Sequence, residues 1–444
     1  MVSTSKKTNS VHSLIAHFLQ ENNYHDTLKQ FEEEHGKPIE ASKLPTSDES
    51  LEEIVNDRIN FNELNAQFEQ VDLHEELTAD MKQIAAQQLE HWKVPYPQSI
   101  ELLVSPQISA LAIDLALDKE NDLVFVSTND FRLVVIEIAS GRILLNAANV
   151  LKKVVVKKIL VLPKQRIVLV GMDGKFYNFE YSLKEGSVTL TKSTEFQAHK
   201  RLVVDAKYIQ FDGEEYIVSL GWDFFIKVFK IVKDGFEVTS EYKISSQGTC
   251  FDVVEYNKEL VIVVGKNENT MLDVFVLDKR AELAYIYKIS LNDAEFSSSS
   301  FSPRCLTIQY FHDSIPLIAV GTSHEPFMRL IVVSLKELAE IDRNAEQPTP
   351  IKRNQILKTL NTLSPQDRYS QAVVTWREAN GKSNGVWIVG EDGIIRGIDL
   401  VEEKVQVELQ GHTGKIKGFI SFSNNKGKEV LISSGLDKDI KRFT

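Results

Sequence analysis

Length, charge and cysteine content exclude several classes of protein. The chain has 444 residues and a net charge of −12, and residues 1–95 carry 8 Lys and Arg against 18 Asp and Glu, a net −10. An acidic arm opposes generic contact with a phosphate backbone, so we expect no direct nucleic-acid binding. Two cysteines, Cys250 and Cys305, do not make a disulfide scaffold, and no apolar run reaches membrane-spanning length. We therefore expect no membrane association and a location in the cytoplasm, the nucleus or both.

The first predicted elements are two short helices within residues 1–35, separated by a break at Asn22-Asn23. Two helices of roughly ten residues cannot bury much apolar surface alone. The hairpin is therefore predicted to pack against another copy of itself. The apolar residues spaced for the shared face are Leu14, Ile15, Phe18, Leu19, Tyr24, Leu28 and Phe31.

This hairpin resembles the LisH motif, a helical dimerisation module. The resemblance is carried by the Leu14-Ile15 pair, Tyr24 at the turn, Leu28-x-x-Phe31 and Glu34. Asn23 stands where the family usually has glycine, and asparagine is the next best residue for a left-handed turn. Thr27 replaces a usual alanine. The resemblance implies a homodimer formed through the seven apolar residues.

Residues 36–98 are predicted to be a linker followed by amphipathic helices. Residues 36–50 are rich in Pro, Ser and Glu and predict the linker. Helical spacing returns over residues 51–92, and Pro95 and Pro97 end it. Its apolar stripe is either a coiled-coil seam or a docking face on the next domain. The residues of this stripe are Leu73, Leu77, Met81, Ile84 and Leu89.

From residue 99 onward the apolar period becomes two, and short β-branched runs alternate with turns. Aspartates recur in these turns, at Asp130, Asp173, Asp223, Asp392 and Asp437. Segments at about 247–290 and 298–340 fit the same rhythm by their strands alone. Even spacing of this kind indicates an all-β repeat fold with seven units of about 49 residues.

Two copies of this repeat resemble the WD repeat. The last copy begins with Gly411-His412 and ends with Asp437-x-x-Ile-x-x-Phe443, where the family usually has tryptophan. The resemblance predicts an all-β seven-bladed WD-type β-propeller over residues 99–444, with an N-terminal α-helical LisH-like dimerisation arm. Residues 99–104 are expected to add the outer strand of the last blade and so close the ring.

The histidines of these copies are expected to be structural. In WD repeats this histidine bonds to a strand serine and to the turn aspartate. The two implied sets are His199/Ser219/Asp223 and His412/Ser433/Asp437. A catalytic or metal-binding role for the histidines is the alternative. No metal-ligand spacing or phosphate loop is found in the sequence, so we expect no cofactor and no metal.

Trp222 is the leading candidate for a binding residue. It precedes the turn aspartate Asp223, where the WD geometry exposes a turn on one face of the propeller. An exposed tryptophan marks either an interface hot spot or packing between neighbouring blades, and both interpretations remain open. The candidate partner-binding residues are Leu202, Trp222, Phe224 and Lys415.

The sequence therefore predicts a non-catalytic scaffold that dimerises and recruits other proteins. The LisH and WD-repeat combination resembles proteins of ubiquitin-ligase, corepressor and motor-regulator complexes, and it does not choose among them. The alternative is an enzyme that uses the central channel. Such an enzyme needs acidic or histidine side chains that converge on the axis.

Overall fold

The computed structural model describes residues 3–39, 50–52, 55–56, 78–104, 108–184, 186–233, 235–277, 281–292, 301–311, 314–335, 351–353, 355–367, 370–377 and 382–444. The chain divides into two compact units, Met1–Glu76 and Leu77–Thr444. The helices are α1 (Ser3–Glu21) and α2 (His25–His35) in the first unit and α3 (Ala79–Gln88) in the second. Most of the predicted linker, and Leu73 and Leu77 of the predicted stripe, lie outside the described residues.

The α1–α2 hairpin is built by backbone conformations that its sequence favours. Asn23 adopts a left-handed φ of 60°, the conformation for which the family usually uses glycine. Gly36 ends α2 with a φ of 73°, and its N–H donates to the carbonyl of Glu32 at 3.0 Å. Both ends of α2 are therefore terminated by residues suited to positive φ.

The second unit is a seven-bladed β-propeller, which confirms the predicted fold class. Its strands are β1 (Ile100–Val104), β2 (Ala112–Asp118), β3 (Leu123–Thr128), β4 (Arg132–Glu137), β5 (Ile143–Ala148), β6 (Val156–Leu162), β7 (Arg166–Gly171), β8 (Lys175–Lys184), β9 (Ser187–Gln197), β10 (Val203–Phe211), β11 (Glu214–Gly221), β12 (Phe225–Val232), β13 (Gly235–Lys243), β14 (Gly248–Tyr256), β15 (Glu259–Lys266), β16 (Met271–Leu277), β17 (Leu283–Ser290), β18 (Pro303–Gln309), β19 (Leu317–Thr322), β20 (Phe327–Ser334), β21 (Ile351–Lys352), β22 (Ile356–Pro365), β23 (Val373–Trp376), β24 (Val386–Val389), β25 (Ile394–Asp399), β26 (Lys404–Gln410), β27 (Ile416–Ser423), β28 (Glu429–Gly435) and β29 (Ile440–Phe443).

Each blade is an antiparallel sheet whose first strand lies toward the axis. Blades 1 to 3 are β2–β5, β6–β9 and β10–β13, and blade 6 is β23–β26. Blade 7 has the order β27-β28-β29-β1, with Ile100 opposite Phe443, so the N-terminal strand closes the ring as expected. The first strands of neighbouring blades contact one another around the ring, including β27 against β2.

Blades 4 and 5 depart from the regular repeat. Blade 4 is β14–β17 with β21 added in parallel, Lys288 opposite Ile351. The outer strand of blade 5 is β22, so this blade runs past the predicted end at residue 340. A longer connection between β20 and β22 displaces the outer strand along the chain, and strand rhythm alone did not indicate it.

Apolar side chains fill the space between neighbouring blades. The central strands are buried along their whole length because both faces meet another blade, as in β3 and β24. Val261 and Val263 of blade 4, for example, belong to one core with Ile318 and Val320 of blade 5. Continuous β-branched runs in the sequence thus correspond to strands covered on both faces.

Helix α3 packs on the propeller. Met81, Ile84 and Leu89 are buried in the apolar core that blades 5 and 6 share. The backbone N–H of Glu90 then donates to the carbonyl of Ser383 at 2.8 Å. The described part of the predicted stripe is therefore a docking face on the propeller, which was one of the two alternatives.

Candidate functional site

The two predicted histidine sets form hydrogen-bonded triads at the turns of blades 3 and 7. His199 Nε2 lies 2.7 Å from Ser219 Oγ, and its Nδ1 lies 2.8 Å from Asp223 Oδ1. The corresponding distances from His412 are 2.8 Å to Ser433 Oγ and 2.8 Å to Asp437 Oδ1. Both serines are fully buried, so neither hydroxyl is open to a substrate. These contacts tie the loop that enters a blade to the second strand of that blade and to the turn that follows it.

The electrostatics of the triads fit neutral imidazoles beside ionised carboxylates. Burial lowers the pKa of His199 and of His412, against the opposing effect of the neighbouring aspartate. Burial opposes ionisation of Asp223, but hydrogen bonds from His199 and from the N–H of Lys200 outweigh it and lower the pKa. The aspartate then accepts hydrogen bonds from both the ring and the backbone.

In other blades, different side chains stabilise the turn between the second and third strands. Tyr177 OH donates to Asp173 at 2.6 Å in blade 2, and the buried Lys266 ammonium lies 2.5 Å from Asp273 in blade 4. In blade 6 the guanidinium of Arg396 lies 2.6 Å from Asp392. A repeat that looks divergent in sequence thus keeps a side-chain contact at this turn in each of these blades.

Replacing Asp437 by alanine tests the structural role of the triads. The change removes the acceptor for His412 and for the N–H of Thr413, which is 3.2 Å away. We expect a loss of about 1–3 kcal/mol in the free energy of unfolding, measured by urea titration. Asp439→Ala, at a more exposed carboxylate nearby, is the control. An unchanged urea midpoint for Asp437→Ala would contradict this role.

The partly buried His324, in the turn between β19 and β20, predicts a loss of stability in acid. Burial, with a smaller contribution from Arg329, lowers the pKa of His324 to about 4. The unfolded chain takes up its proton near pH 6.5, so the contribution of His324 is complete above that pH and is lost as the pH falls toward 4. Because the ring is partly exposed, we expect about 1–2 kcal/mol. His324→Gln should reduce the difference between urea midpoints at about pH 7 and about pH 4.5. If the urea midpoints at the two pH values differ by the same amount in the variant and in the wild type, His324 does not have this role.

Trp222 lies on an exposed turn, next to Leu202. The N–H of Trp222 donates to the carbonyl of Leu202 at 2.8 Å, which joins the two neighbouring segments. The side chain of Trp222 is 45% exposed, and Phe224 is exposed at a φ of 68°. Packing between blades does not account for the exposed half of the indole ring.

Lys415 occupies the position in blade 7 that Leu202 occupies in blade 3. Its carbonyl accepts from the N–H of Leu436, as Leu202 accepts from Trp222. Its side chain is only 13% exposed, and its ammonium contacts Glu391. Lys415 lies on the same face as Trp222, but its charge is neutralised by a neighbour.

Met172 is a further exposed apolar residue on this face, one that sequence reasoning missed. It precedes the turn aspartate Asp173 of blade 2, as Trp222 precedes Asp223, and it is 42% exposed. Its N–H donates to Val155 at 2.9 Å, the same contact that Trp222 makes in blade 3. Comparing turn positions between copies would have found it. We call Met172, Leu202, Trp222 and Phe224 the Trp222 patch.

The predicted dimerisation residues lie on the hairpin, and none of them is buried. Leu14, Ile15, Phe18, Leu19, Leu28 and Phe31 are partly exposed, and Tyr24 is 53% exposed. Within α1 and α2, among residues whose side chains are described, Ala16 alone is buried. The Phe18 and Tyr24 rings face each other with centroids 6.5 Å apart. The hairpin thus presents an apolar face that its own fold leaves uncovered.

A buried charged cluster holds the segment that follows α3 against blades 6 and 7. The guanidinium of Arg377 lies 4.0 Å from the ring of Trp92, and its Nη2 donates to Glu429 at 2.6 Å. Trp387 Nε1 donates to the same carboxylate at 2.6 Å. A side chain at Gly397 would overlap the Trp92 ring. Sequence reasoning missed this cluster, since its members are far apart in the chain.

Within the described residues, no helix is long and apolar enough to cross a membrane, and no group of three or more His, Cys, Asp or Glu is placed to hold a metal ion.

Comparison with known proteins agrees with both modules. Residues 71–444 match a family model described as UCP007778, beta-propeller domain, and residues 9–43 match one described as UCP007778, LisH domain. The chain is also similar to the uncharacterized protein YGR117C of Saccharomyces cerevisiae, with 25% identity over 441 residues and 87% of each chain covered. The propeller match alone spans most of the chain, so this protein belongs to the UCP007778 family of LisH and β-propeller proteins.

Proposed function

We propose that this protein is a non-catalytic scaffold that dimerises through its LisH hairpin and recruits protein partners through its propeller. The observation that carries the proposal is the Trp222 patch, where exposed apolar side chains from blades 2 and 3 occupy equivalent turns of one face. Tryptophan is enriched among residues that dominate binding energies, and an exposed one surrounded by other apolar groups fits a docking site.

The uncovered apolar face of the hairpin supports the dimerisation part of the proposal. If the apolar faces of two hairpins packed against each other, the partly exposed apolar residues of both copies would be buried. A dimer would also carry two Trp222 patches, so a partner with two binding segments gains avidity. In this proposal the protein is a subunit of a larger complex of the ubiquitin-ligase, corepressor or motor-regulator type.

We further propose that the scaffold acts in the cytoplasm, the nucleus or both. Cys250 and Cys305 are free thiols, and burial raises the pKa of both. Reduced cysteines are usual in these compartments. The proposal of a non-catalytic role rests on the buried serines of the triads and on turn aspartates engaged in holding strands together.

Quantitative affinity capture tests the recruitment. Tagged wild type and Trp222→Ala would be expressed in the source cells, and the captured proteins compared by mass spectrometry. We expect Trp222→Ala to weaken capture by about 2 kcal/mol or more with little change in melting temperature. Leu183→Ala, an exposed leucine at the far end of β8, is the matched control. Equal capture by Trp222→Ala would contradict the proposal.

A further inference from the structure

Exposed cations lie in the loops that flank the Trp222 patch. Lys152 and Lys153 are in the loop that enters blade 2, and Lys200 and Arg201 are in the loop that enters blade 3. All four are exposed. We call these four residues the basic rim.

Backbone contacts place the basic rim beside the apolar residues. The loop of Lys152 and Lys153 ends at Val155, whose carbonyl accepts from Met172 at 2.9 Å. The N–H of Lys200 donates to Asp223, next to Trp222, at 3.0 Å. A Cβ built at Gly174, in the turn of Met172, would lie 2.6 Å from the carbonyl oxygen of Arg201. The loop of Lys200 and Arg201 therefore runs between the Met172 and Trp222 turns.

The charges of the basic rim are available to a partner. Within the described part of the chain, none of the four side chains makes an ion pair or hydrogen bond. Among the nearby carboxylates, Asp173 is exposed and accepts from Tyr177, and Asp223 is engaged by His199 and by backbone N–H groups. Glu241, whose charge acts on His199, is paired with Lys227. The four cations are thus available while these carboxylates already have partners.

Two further lysines lie on the innermost strands of blades 2 and 7. Lys157 lies near the start of β6 and Lys417 near the start of β27, on the two blades that flank blade 1. Burial lowers the pKa of Lys417, and repulsion by the charges of Lys415 and Lys157 adds to this effect while the charge of Glu391 opposes it. No ion pair to Lys417 occurs among the described residues, so an incoming anion would relieve this repulsion.

The turns between the second and third strands of blades 4 and 5 carry negative charge. Glu268 and Glu325 are exposed there, each in the turn between the second and third strands of its blade. Exposed cations thus lie in the entry loops of blades 2 and 3, and exposed glutamates lie in the turns of blades 4 and 5, of which blade 4 adjoins blade 3. An acidic partner is attracted by the cations beside Trp222 and repelled by the glutamates of blades 4 and 5.

We propose that the Trp222 patch and the basic rim together bind an acidic peptide segment that carries an apolar side chain. This inference rests on the proposed function, because it names the chemistry of the partner at the same site. The apolar side chain would pack on Trp222 and Met172, and flanking carboxylates would meet Lys152, Lys153, Lys200 and Arg201. A nucleic acid is the competing polyanion, and an oligouridine probe tests for it directly.

Direct binding of defined probes to the full chain tests this inference. The probes are peptides of about ten residues with a central leucine flanked by Asp and Glu, the same peptide with Lys in place of each acid, and oligouridine of similar length. Binding is followed by acrylamide quenching of tryptophan fluorescence and compared with Trp222→Phe, since Trp222 is exposed, Trp92 is partly exposed, and Trp376 and Trp387 are buried. We expect the acidic peptide alone to bind and to protect Trp222.

Charge reversal gives the matched comparison. Lys200→Glu/Arg201→Glu should weaken binding of the acidic peptide by about tenfold or more, and added salt should weaken binding to wild type. Lys426→Glu/Lys428→Glu changes the net charge equally, at exposed lysines between β27 and β28, and should bind as wild type does. Unchanged melting temperatures show that the variants are folded.

The outcomes separate this inference from the proposed function. Preferential binding of oligouridine or of the basic peptide would overturn the acidic-segment inference, as would equal effects of the two double variants. If Trp222→Ala still loses captured proteins in cells, the scaffold proposal survives that failure. If Trp222→Ala captures normally while the acidic peptide binds at the basic rim, the inference stands and the proposed recruitment fails.

Discussion

Ile15→Asp/Phe18→Asp is expected to convert a dimer into a monomer, the largest effect we predict. Both residues lie on the apolar face of α1, partly exposed within a single hairpin. Two aspartates there would place buried, unpaired charges at the contact between copies, which costs far more than a small interface yields. Light scattering coupled to size exclusion should show the molar mass fall by half.

The control for this prediction adds the same charge elsewhere on the hairpin. Gln20 and Gln30 are exposed on α1 and α2, so Gln20→Asp/Gln30→Asp should leave the dimer intact. The melting temperature of the propeller should not change in either variant, since the hairpin belongs to a separate compact unit. A monomeric wild type at micromolar concentration, or a dimeric Ile15→Asp/Phe18→Asp variant, would contradict the dimerisation proposal.

Glu429→Ala is expected to have the largest effect on stability. Glu429 accepts hydrogen bonds from Arg377 at 2.6 Å and from Trp387 at 2.6 Å, and the Arg377 side chain is buried. Removing the carboxylate leaves a buried guanidinium without its counter-charge. We expect a loss of roughly 3–5 kcal/mol in the free energy of unfolding, measured by urea titration and thermal melting.

Two comparisons identify the buried charge as the cause. Arg377→Met/Glu429→Leu removes both charges, so it should cost much less than Glu429→Ala alone. Glu402→Ala breaks the exposed pair of Glu402 with Lys404 and should cost at most about 1 kcal/mol. If Glu429→Ala lowers the free energy of unfolding no more than Glu402→Ala does, the cluster does not hold the segment that follows α3 against blades 6 and 7.

Local sequence patterns predicted the fold because short segments of the chain define each repeat. The period of two and the turn aspartates depend on neighbours in the chain. The closing strand pairs with residues 440–443, and it was predicted from its strand composition and from the outer strand that the last blade lacked. The triads of His199 and His412 were recognisable because histidine, serine and aspartate recur at similar spacing in both copies. Contacts that repeat locally are therefore visible in the sequence.

The features that were missed depend on contacts between distant segments. Arg377 meets Trp92 and Glu429 across blades, with no spacing rule to connect them. Lys415 was predicted to be a partner-binding residue, but the structure places Glu391 beside its ammonium. The end of blade 5 was also predicted too early. Strand rhythm does not indicate the length of an insertion, and the connection before β22 is long.

The composition of the purified complex tests the central claim most directly. The molar mass of the complex captured with wild type, Trp222→Ala and Ile15→Asp/Phe18→Asp would be measured by light scattering, and its subunits counted by mass spectrometry. We predict two chains with two bound partners for wild type, two chains without partner for Trp222→Ala, and one chain with one partner for Ile15→Asp/Phe18→Asp. The same complex from all three proteins would contradict a scaffold that dimerises through its hairpin and recruits partners at Trp222.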